Sequence, residues 1–480
     1  MSTPEDAELE RGLLSGSRTR KSAPKRPSCP RIAMAIVVLT ILVTFAYSAF
    51  GGPVSSPLKP ITPTLNVPKD TQLDWAQYSP YFPIEPYQEA PEGCTIDQVN
   101  ILQRHGARFP TSGAGQRIQD ALAKLLAVRQ FKDPRLDFLR TFTYDLGTND
   151  LVPFGAAQSF DAGVEAFGRY THLISKDNIP FVRASGSERV IVSAQNWTQG
   201  FAAASFHKFN PVLSVILDES LNDTLDDSMC PSAGSSDPQT NLWQSTFAPP
   251  ITKFLNKGAP HANLTDTDTF NLISVCAFES VFKETRSPFC DLFAPEKGAF
   301  PGFAYMGDLD KYYGTGYGQE LGPVQGVGYV NELIARLTGT PVQDKTQTNQ
   351  TIDSNPATFP LDRTVYADFS HDNQMIAIYA AMGLFRQAQP PNPTNPNPKR
   401  NWRASRLVPF SSRMVVERLK CAHSPPSLRI LVNQEVQPLE FCGGDKHGVC
   451  SVANFVQSQA FARNNGEGDF EKCFENVPSE

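Results

Sequence analysis

Short bursts of alternating apolar and polar residues are spaced along this chain between longer stretches with a three-to-four-residue period, the pattern of a mixed α/β protein. Val99 to Gln103, Phe181 to Ala184, Arg363 to Phe369, Met414 to Arg418 and Leu428 to Val432 read as strands. Arg117 to Val128, Gly163 to Leu173, Glu188 to Ala204 and Gly326 to Leu337 read as helices, as does Asp372 to Met382, stopped by Gly383. From about residue 205 to 300 the periodic pieces are shorter and set among Ser, Asp, Asn and Pro. They predict part of an inserted, mostly helical subdomain at about 115–300. Residues 51–93, punctuated by prolines from Pro53 to Pro91, read as a spacer or strap ahead of a folded domain at 94–480. Gln389 to Asn401 alternates Pro and Asn and reads as a mobile loop.

The longest apolar run has no period of either kind. Ile32 to Phe50 is 19 residues without a charge, enough to cross a hydrocarbon core about 30 Å thick, and predicts a single transmembrane helix. Arg18, Arg20, Lys21, Lys25, Arg26 and Arg31 precede it, and no cation follows until Lys59. The positive-inside rule then predicts a type II topology, with a basic leader at 1–31 in the cytosol and residues 51–480 outside. A cleaved signal peptide ending near Ala46 and Ser48 is the competing reading, with secretion as its outcome.

Cysteine usage agrees with export. Cys29 precedes the apolar run, whereas Cys94, Cys230, Cys276, Cys290, Cys421, Cys442, Cys450 and Cys473 form an even set beyond it and predict disulfides, their pairing open. Glycosylation sequons at Asn196, Asn222, Asn263 and Asn349 fall in the same part. The net charge is −6, and residues 1–31 hold seven cations against four anions, so the remainder carries −9. Such a surface repels anions in general, excludes nucleic acid as a partner, and requires a local cluster of cations if the substrate is an anion.

Two motifs carry chemistry. Arg104-His105-Gly106-Ala107-Arg108-Phe109-Pro110 follows directly on a strand. Guanidinium groups offer planar forks of donors to phosphate oxygens, Gly106 lets backbone approach the ligand, and His105 is placed to attack. Ser370-His371-Asp372-Asn373 lies between a strand end and a helix start, where backbone N–H groups and the helix dipole favour an anion. Asp372 alone could serve as a helix cap; its pairing with the first motif points to a proton donor. Arg183, before a turn at Ser185-Gly186, is a third candidate. A Gly-x-Ser-x-Gly elbow, a Walker lysine loop, a His-Glu-x-x-His helix and a cysteine six positions before an arginine are all lacking. No cofactor or metal is expected, so arginines must neutralise the phosphate.

These motifs, together with Tyr144 to Gly155, Val182 to Val190, Ser287 to Phe293, Gly322 to Leu337 and Ala357 to Asn373, resemble the fungal phytases (3-phytase type) of the histidine acid phosphatase family over nearly all of residues 90–475. The resemblance implies a large α/β sandwich domain with a smaller α-helical domain and an active site between them. It implies His105 as nucleophile, Asp372 as proton donor, and Arg104, Arg108, Arg183 and His371 as phosphate binders, with Asn373 and Lys311 as further substrate contacts. It also implies the pairs Cys94–Cys421, Cys230–Cys473, Cys276–Cys290 and Cys442–Cys450. The expected activity is hydrolysis of phosphate monoesters, phytate among them, through a phosphohistidine at acidic pH. Ala114, Gln116, Arg117 and Asp310 stand where related phytases often carry lysines, which predicts a less basic rim and weaker hold on a polyanion. A broad acid phosphatase, an inactive phosphate-binding relative and a phosphoglycerate mutase are the competing readings. The oligomeric state is not legible.

Overall fold

The computed structural model describes residues 58–475. Its centre is one mixed sheet of β1 (Cys94–Arg104), β2 (Phe181–Ser185), β3 (Leu213–Leu217), β4 (Val365–Ser370), β5 (Arg413–Cys421), β6 (Ser427–Val432), β7 (Glu435–Val436) and β8 (Cys450–Ser451). The strand order is β3-β2-β4-β1-β5-β6-β7, with β8 also on β6. β3, β2, β4 and β1 run parallel, while β5 to β8 add an antiparallel half.

The two-residue alternation read in the sequence is the sheet's division between two cores. Ile101, Ala367, Phe369 and Val415 face one core, covered by α2 (Pro153–Tyr170) and α3 (Glu188–Ala204), where Ala166, Ala194, Trp197 and Phe201 are buried. Leu102, Tyr366, Met414 and Val416 face the other, covered by α8 (Val327–Thr338) and α9 (Asp372–Met382). A third core is helical. It joins α1 (Ser112–Leu126), α4 (Asp237–Phe247), α5 (Pro249–Gly258), α6 (Asp266–Lys283) and α7 (Ala299–Gly314) through Leu122, Leu255, Leu272, Phe278, Phe303 and Leu309. The disulfides are Cys94–Cys421, which closes the β1–β5 ladder, Cys230–Cys473, Cys276–Cys290 and Cys442–Cys450.

Several expectations need correction. The membrane anchor finds no support: among the described residues no helix is long and apolar enough to cross a membrane, and Ile32 to Phe50 lies outside them. The transmembrane part of the fold expectation and the type II placement built on it are withdrawn. The stretch after residue 205 opens with a strand, β3, at the sheet edge, too short for its alternation to stand out. Helix α2 starts ten residues before the predicted Gly163, because Pro153 supplies a first-turn residue with no N–H to satisfy. The Pro/Asn loop is tied down: Asn392 O accepts from Tyr305, Pro391 O from Tyr313, and Arg400 pairs with Asp308. Residues 58–93 belong to the compact unit, with Leu65, Val67 and Trp75 in the helical core.

Candidate functional site

The carboxyl ends of β1, β2 and β4 lie side by side, the edge of an open α/β sheet where ligands bind. Arg104 and Ser370 are register partners, and the His105 N–H donates to Ser370 O at 3.1 Å. Each chain leaves the sheet at the next residue, so His105 and His371 emerge together, their ring centroids 5.7 Å apart. Asp372 follows as the first residue of α9, with His371 at the N-cap.

Almost no surface of His105 is exposed, and its Nδ1 lies 2.8 Å from Gly106 O. A carbonyl can only accept, so Nδ1 carries the hydrogen and Nε2 keeps its lone pair. Burial, followed by Arg104, Arg108 and Arg189, pushes the imidazole pKa well below its ordinary 6.5. The ring is neutral in acid, the state a nucleophile needs.

Arg104 is fully buried; its Nη1 donates to Gln77 O and to Val408 O, and its guanidinium stacks 4.7 Å from the Phe410 ring. Its Nη2 lies 3.3 Å from Asp372 Oδ2 without hydrogen-bond geometry, and Nε has no partner. Arg108 donates to Phe109 O and leaves Nε unpaired. Lys311, on α7, reaches Asp372 Oδ2 at 2.9 Å and also donates to Asn373 Oδ1. Burial alone would raise the Asp372 pKa, but Arg104 and Lys311 hold it well below the usual carboxylate range. Burial lowers Arg104 to about 10, with Arg108 adding to the effect.

Arg183 is not among these groups, which corrects the expectation for it. Its Cα pairs in register with Asp368 in mid-sheet, and its side chain points into the α8 core between Asp368 and Glu332, at 2.8 and 2.7 Å. Arg336 joins at Asp368, whose pKa falls to about 2 because, against burial, the Arg183 and Arg336 charges win. Arg183 is a structural counterion.

The cation that the sequence reading missed is Arg189, in the first turn of α3. Its Nη2 lies 3.1 Å from His371 Nδ1, its Nε has no partner, and burial and Arg108 both depress its pKa. A signal was present: an arginine two residues after the Ser187 N-cap sits at the positive end of a helix, an unfavourable place unless an anion comes there.

Gly106 also serves differently from expectation. A Cβ there would fall 2.1 Å from Gly155 O, so its smallness lets the loop pack on the start of α2. Across from Arg189, His371 Nε2 lies 3.1 Å from Glu219 Oε1 and 3.5 Å from Asp226 Oδ1. The donor atoms of Glu219, Asp226 and His371 lie within 4.8 Å of one another, close enough for a cation. Glu219, however, is already filled by donors from Ser185, Ser187 and His371, and Arg189 faces the far side of the ring.

Arg104, Arg108, Arg189 and Lys311 thus surround a neutral histidine and a carboxylate, and the three guanidinium groups keep buried N–H donors without partners. An oxyanion with several acceptor oxygens satisfies such donors.

Comparisons agree with this geometry. Residues 95–433 match the model of the histidine phosphatase superfamily (branch 2). Phytase A of Emericella nidulans is 40% identical over 421 residues, covering 83% of this chain and 90% of its own. Phytase A of Aspergillus fumigatus is 37% identical, covering 92% of this chain and all of its own. The crystal structure of the phytase from D. castellii superposes with a TM-score of 0.68 at 20% identity, covering 87% of this chain and 89% of that one. A Bifidobacterium longum multiple inositol polyphosphate phosphatase, in complex with phosphate, superposes at 0.59 and 15% identity, covering 81% and 98%. The chain belongs to branch 2 of the histidine phosphatase superfamily.

Proposed function

We propose that this protein is a phosphomonoesterase that hydrolyses phytate and other organic phosphates through a phosphohistidine on His105. The observation that carries the reading is the buried His105 imidazole, its Nδ1 turned to Gly106 O, set among cations whose donors lack partners. The relatives' name, Phytase A, supports phytate as a substrate.

In this reading Arg104, Arg108 and Arg189 take the phosphoryl oxygens. His105 Nε2 attacks phosphorus in line as the bond to the ester oxygen breaks, and Asp372 protonates the departing alkoxide. Water then attacks the phosphohistidine, giving its proton to Asp372 as the N–P bond breaks. Asp372 begins ionised between Arg104 and Lys311. A bound phosphoryl group offsets both cations, so the carboxyl gains its proton as substrate binds. Lys311 and Asn373 lie beside Asp372, and in this reading they contact the leaving alcohol.

A monoesterase with little phytate preference is the second reading, favoured by Asp310. Its carboxylate lies 3.3 Å from Lys311 and is partly exposed, an anion at the mouth of an anion site. The disulfides support an oxidising compartment, where the exposed Asn222 and Asn263 are the sequons open to glycans.

Phosphate release from phytate and from p-nitrophenyl phosphate at about pH 4–6 is the test. Turnover of both by the wild type and none by His105→Ala is expected. Phosphate binding without release would mean an inactive relative.

A further inference from the structure

We propose that Glu219 is a positioning residue of the phosphate site, holding Arg189 from two directions at once. The proposal rests on the phosphatase reading and deepens it.

Glu219 lies just past the end of β3, and its two oxygens collect donors from two separate elements. The Ser187 N–H donates to Oε1 at 2.7 Å, the Ser185 hydroxyl to Oε1 at 2.8 Å and the Ser187 hydroxyl to Oε2 at 3.1 Å. Ser187 is the N-cap of α3, and its hydroxyl caps nothing within the helix because it is turned to Glu219. Arg189 leaves the helix two residues later, so Glu219 fixes the backbone from which this guanidinium springs.

The second direction runs through His371. Its Nε2 faces Glu219 Oε1 at 3.1 Å, and a carboxylate can only accept, so Nε2 carries a hydrogen. Its Nδ1 faces Arg189 Nη2 at 3.1 Å, and a guanidinium can only donate, so Nδ1 holds a lone pair. Both contacts select the same neutral tautomer. His371 therefore spends both nitrogens joining Glu219 to Arg189, as a carboxylate fixes a ligating histidine from behind.

Arg189 needs such holding. It sits at the positive end of α3 beside Arg108, and burial and that neighbour both disfavour its charge. Glu219 acts as the anion of this clamp: burial would raise its pKa, but the His371, Ser185 and Ser187 bonds hold it below its ordinary value. Asp226, 3.5 Å from Nε2, is the one other carboxylate recorded within ion-pair distance of the ring among the described residues.

The test is Glu219→Gln, assayed with p-nitrophenyl phosphate and with inorganic phosphate as inhibitor. Because Glu219 touches neither substrate nor Asp372, KM and the phosphate Ki should rise about tenfold while kcat changes by less than about threefold, the size expected for charge-assisted bonds acting through a neighbour. An alkyl phosphate with a poor leaving group should show the same loss. On an Arg189→Ala background, Glu219→Gln should add less than about twofold, since the group it positions is gone. A wild-type Ki in the single variant, or the full loss again on the Arg189→Ala background, overturns the proposal. Circular dichroism checks folding. Should Glu219→Gln not fold, Ser187→Ala removes a donor from the same clamp and is expected to raise Ki about threefold, and an unchanged Ki there is equally fatal. A wild-type protein that turns over no phosphate monoester would instead refute the phosphatase reading itself.

Discussion

Arg104 and Ser370 pair in register across the parallel β1–β4 ladder, with the His105 N–H on Ser370 O at 3.1 Å. That pairing converts two motifs far apart in sequence into one site, because each strand releases its reactive residues at the same sheet edge. A slip of one residue would turn every side chain of β4 to the opposite face and send Asp372 away from His105.

The division of labour proposed for His105 and Asp372 gives the first prediction. His105→Ala should abolish turnover, with no phosphoenzyme trapped by an alkaline quench, in which the N–P bond of the wild-type intermediate survives. Asp372→Asn should lower kcat by about 10²–10⁴ for alkyl phosphates, whose leaving oxygen needs a proton, and far less for p-nitrophenyl phosphate. Equal losses on both substrates would remove Asp372 from the proton-donor role.

Arg183 and Arg189 should separate cleanly. Arg183→Ala leaves Asp368 and Glu332 buried with one cation fewer, and breaking such a network costs about 3–5 kcal/mol. Urea melts should show that loss. Arg189→Ala should melt near the wild type yet raise the phosphate Ki at least tenfold, the scale of a lost charge-assisted contact. The reverse pattern would restore Arg183 to the site.

These two arginines also show where the sequence was legible. Both motifs, and the helix at Glu188–Ala204, were readable because strand ends and helix starts have local signatures. Which of two nearby arginines meets the ligand was not, since it depends on Asp368 across the ladder from Arg183 and on Glu332 from α8. Edge strand β3 escaped for a related reason: five residues hold too few alternations to compete with the polar stretch around them. The packing role of Gly106 is hidden for the same reason, since its neighbour is Gly155, which no local pattern announces.

The rim offers a test of substrate preference. Asp310 places an anion 3.3 Å from Lys311, and its other oxygen accepts from Ser236. Asp310→Lys should lower KM for phytate several-fold at low salt, with the gain shrinking as salt screens it, and leave KM for p-nitrophenyl phosphate within about twofold. An equal gain on both substrates would show that Asp310 acts on the reacting phosphate rather than on the distal ones.

The acid limb of kcat/KM should report His105. Its pKa is depressed, so the neutral imidazole, the form the proposed attack needs, persists below the ordinary 6.5 and is lost only as pH falls through the lower value. Removing a nearby cation relaxes that depression: Arg108→Met should move the limb upward by about one pH unit, alongside its loss of phosphate affinity. An unmoved limb would mean that another group controls it.

Stability should follow pH in the opposite sense to a typical neutral protein. Burial, first among the causes, raises Asp74 and Asp223 to about 6 and Asp353 to about 8, the last helped by the Glu332 charge. A raised pKa means that the folded state binds the proton more tightly, so this stabilisation is full below the ordinary 3.8 and is lost as pH climbs through 6 and then 8. Asp368 and Glu219 work the other way, with folded values of about 2 against ordinary values of 3.8 and 4.5, so their contribution is present above those ordinary values and lost as pH falls toward 2. The two sets overlap favourably only in mild acid, and Tm should peak at about pH 4–5. Asp353→Asn should flatten the decline above about pH 6 without altering the acid side, because its amide cannot ionise. Thermal melts across this range decide the matter, and a Tm that climbs steadily from pH 4 to 8 would show that these buried carboxyls do not govern the balance.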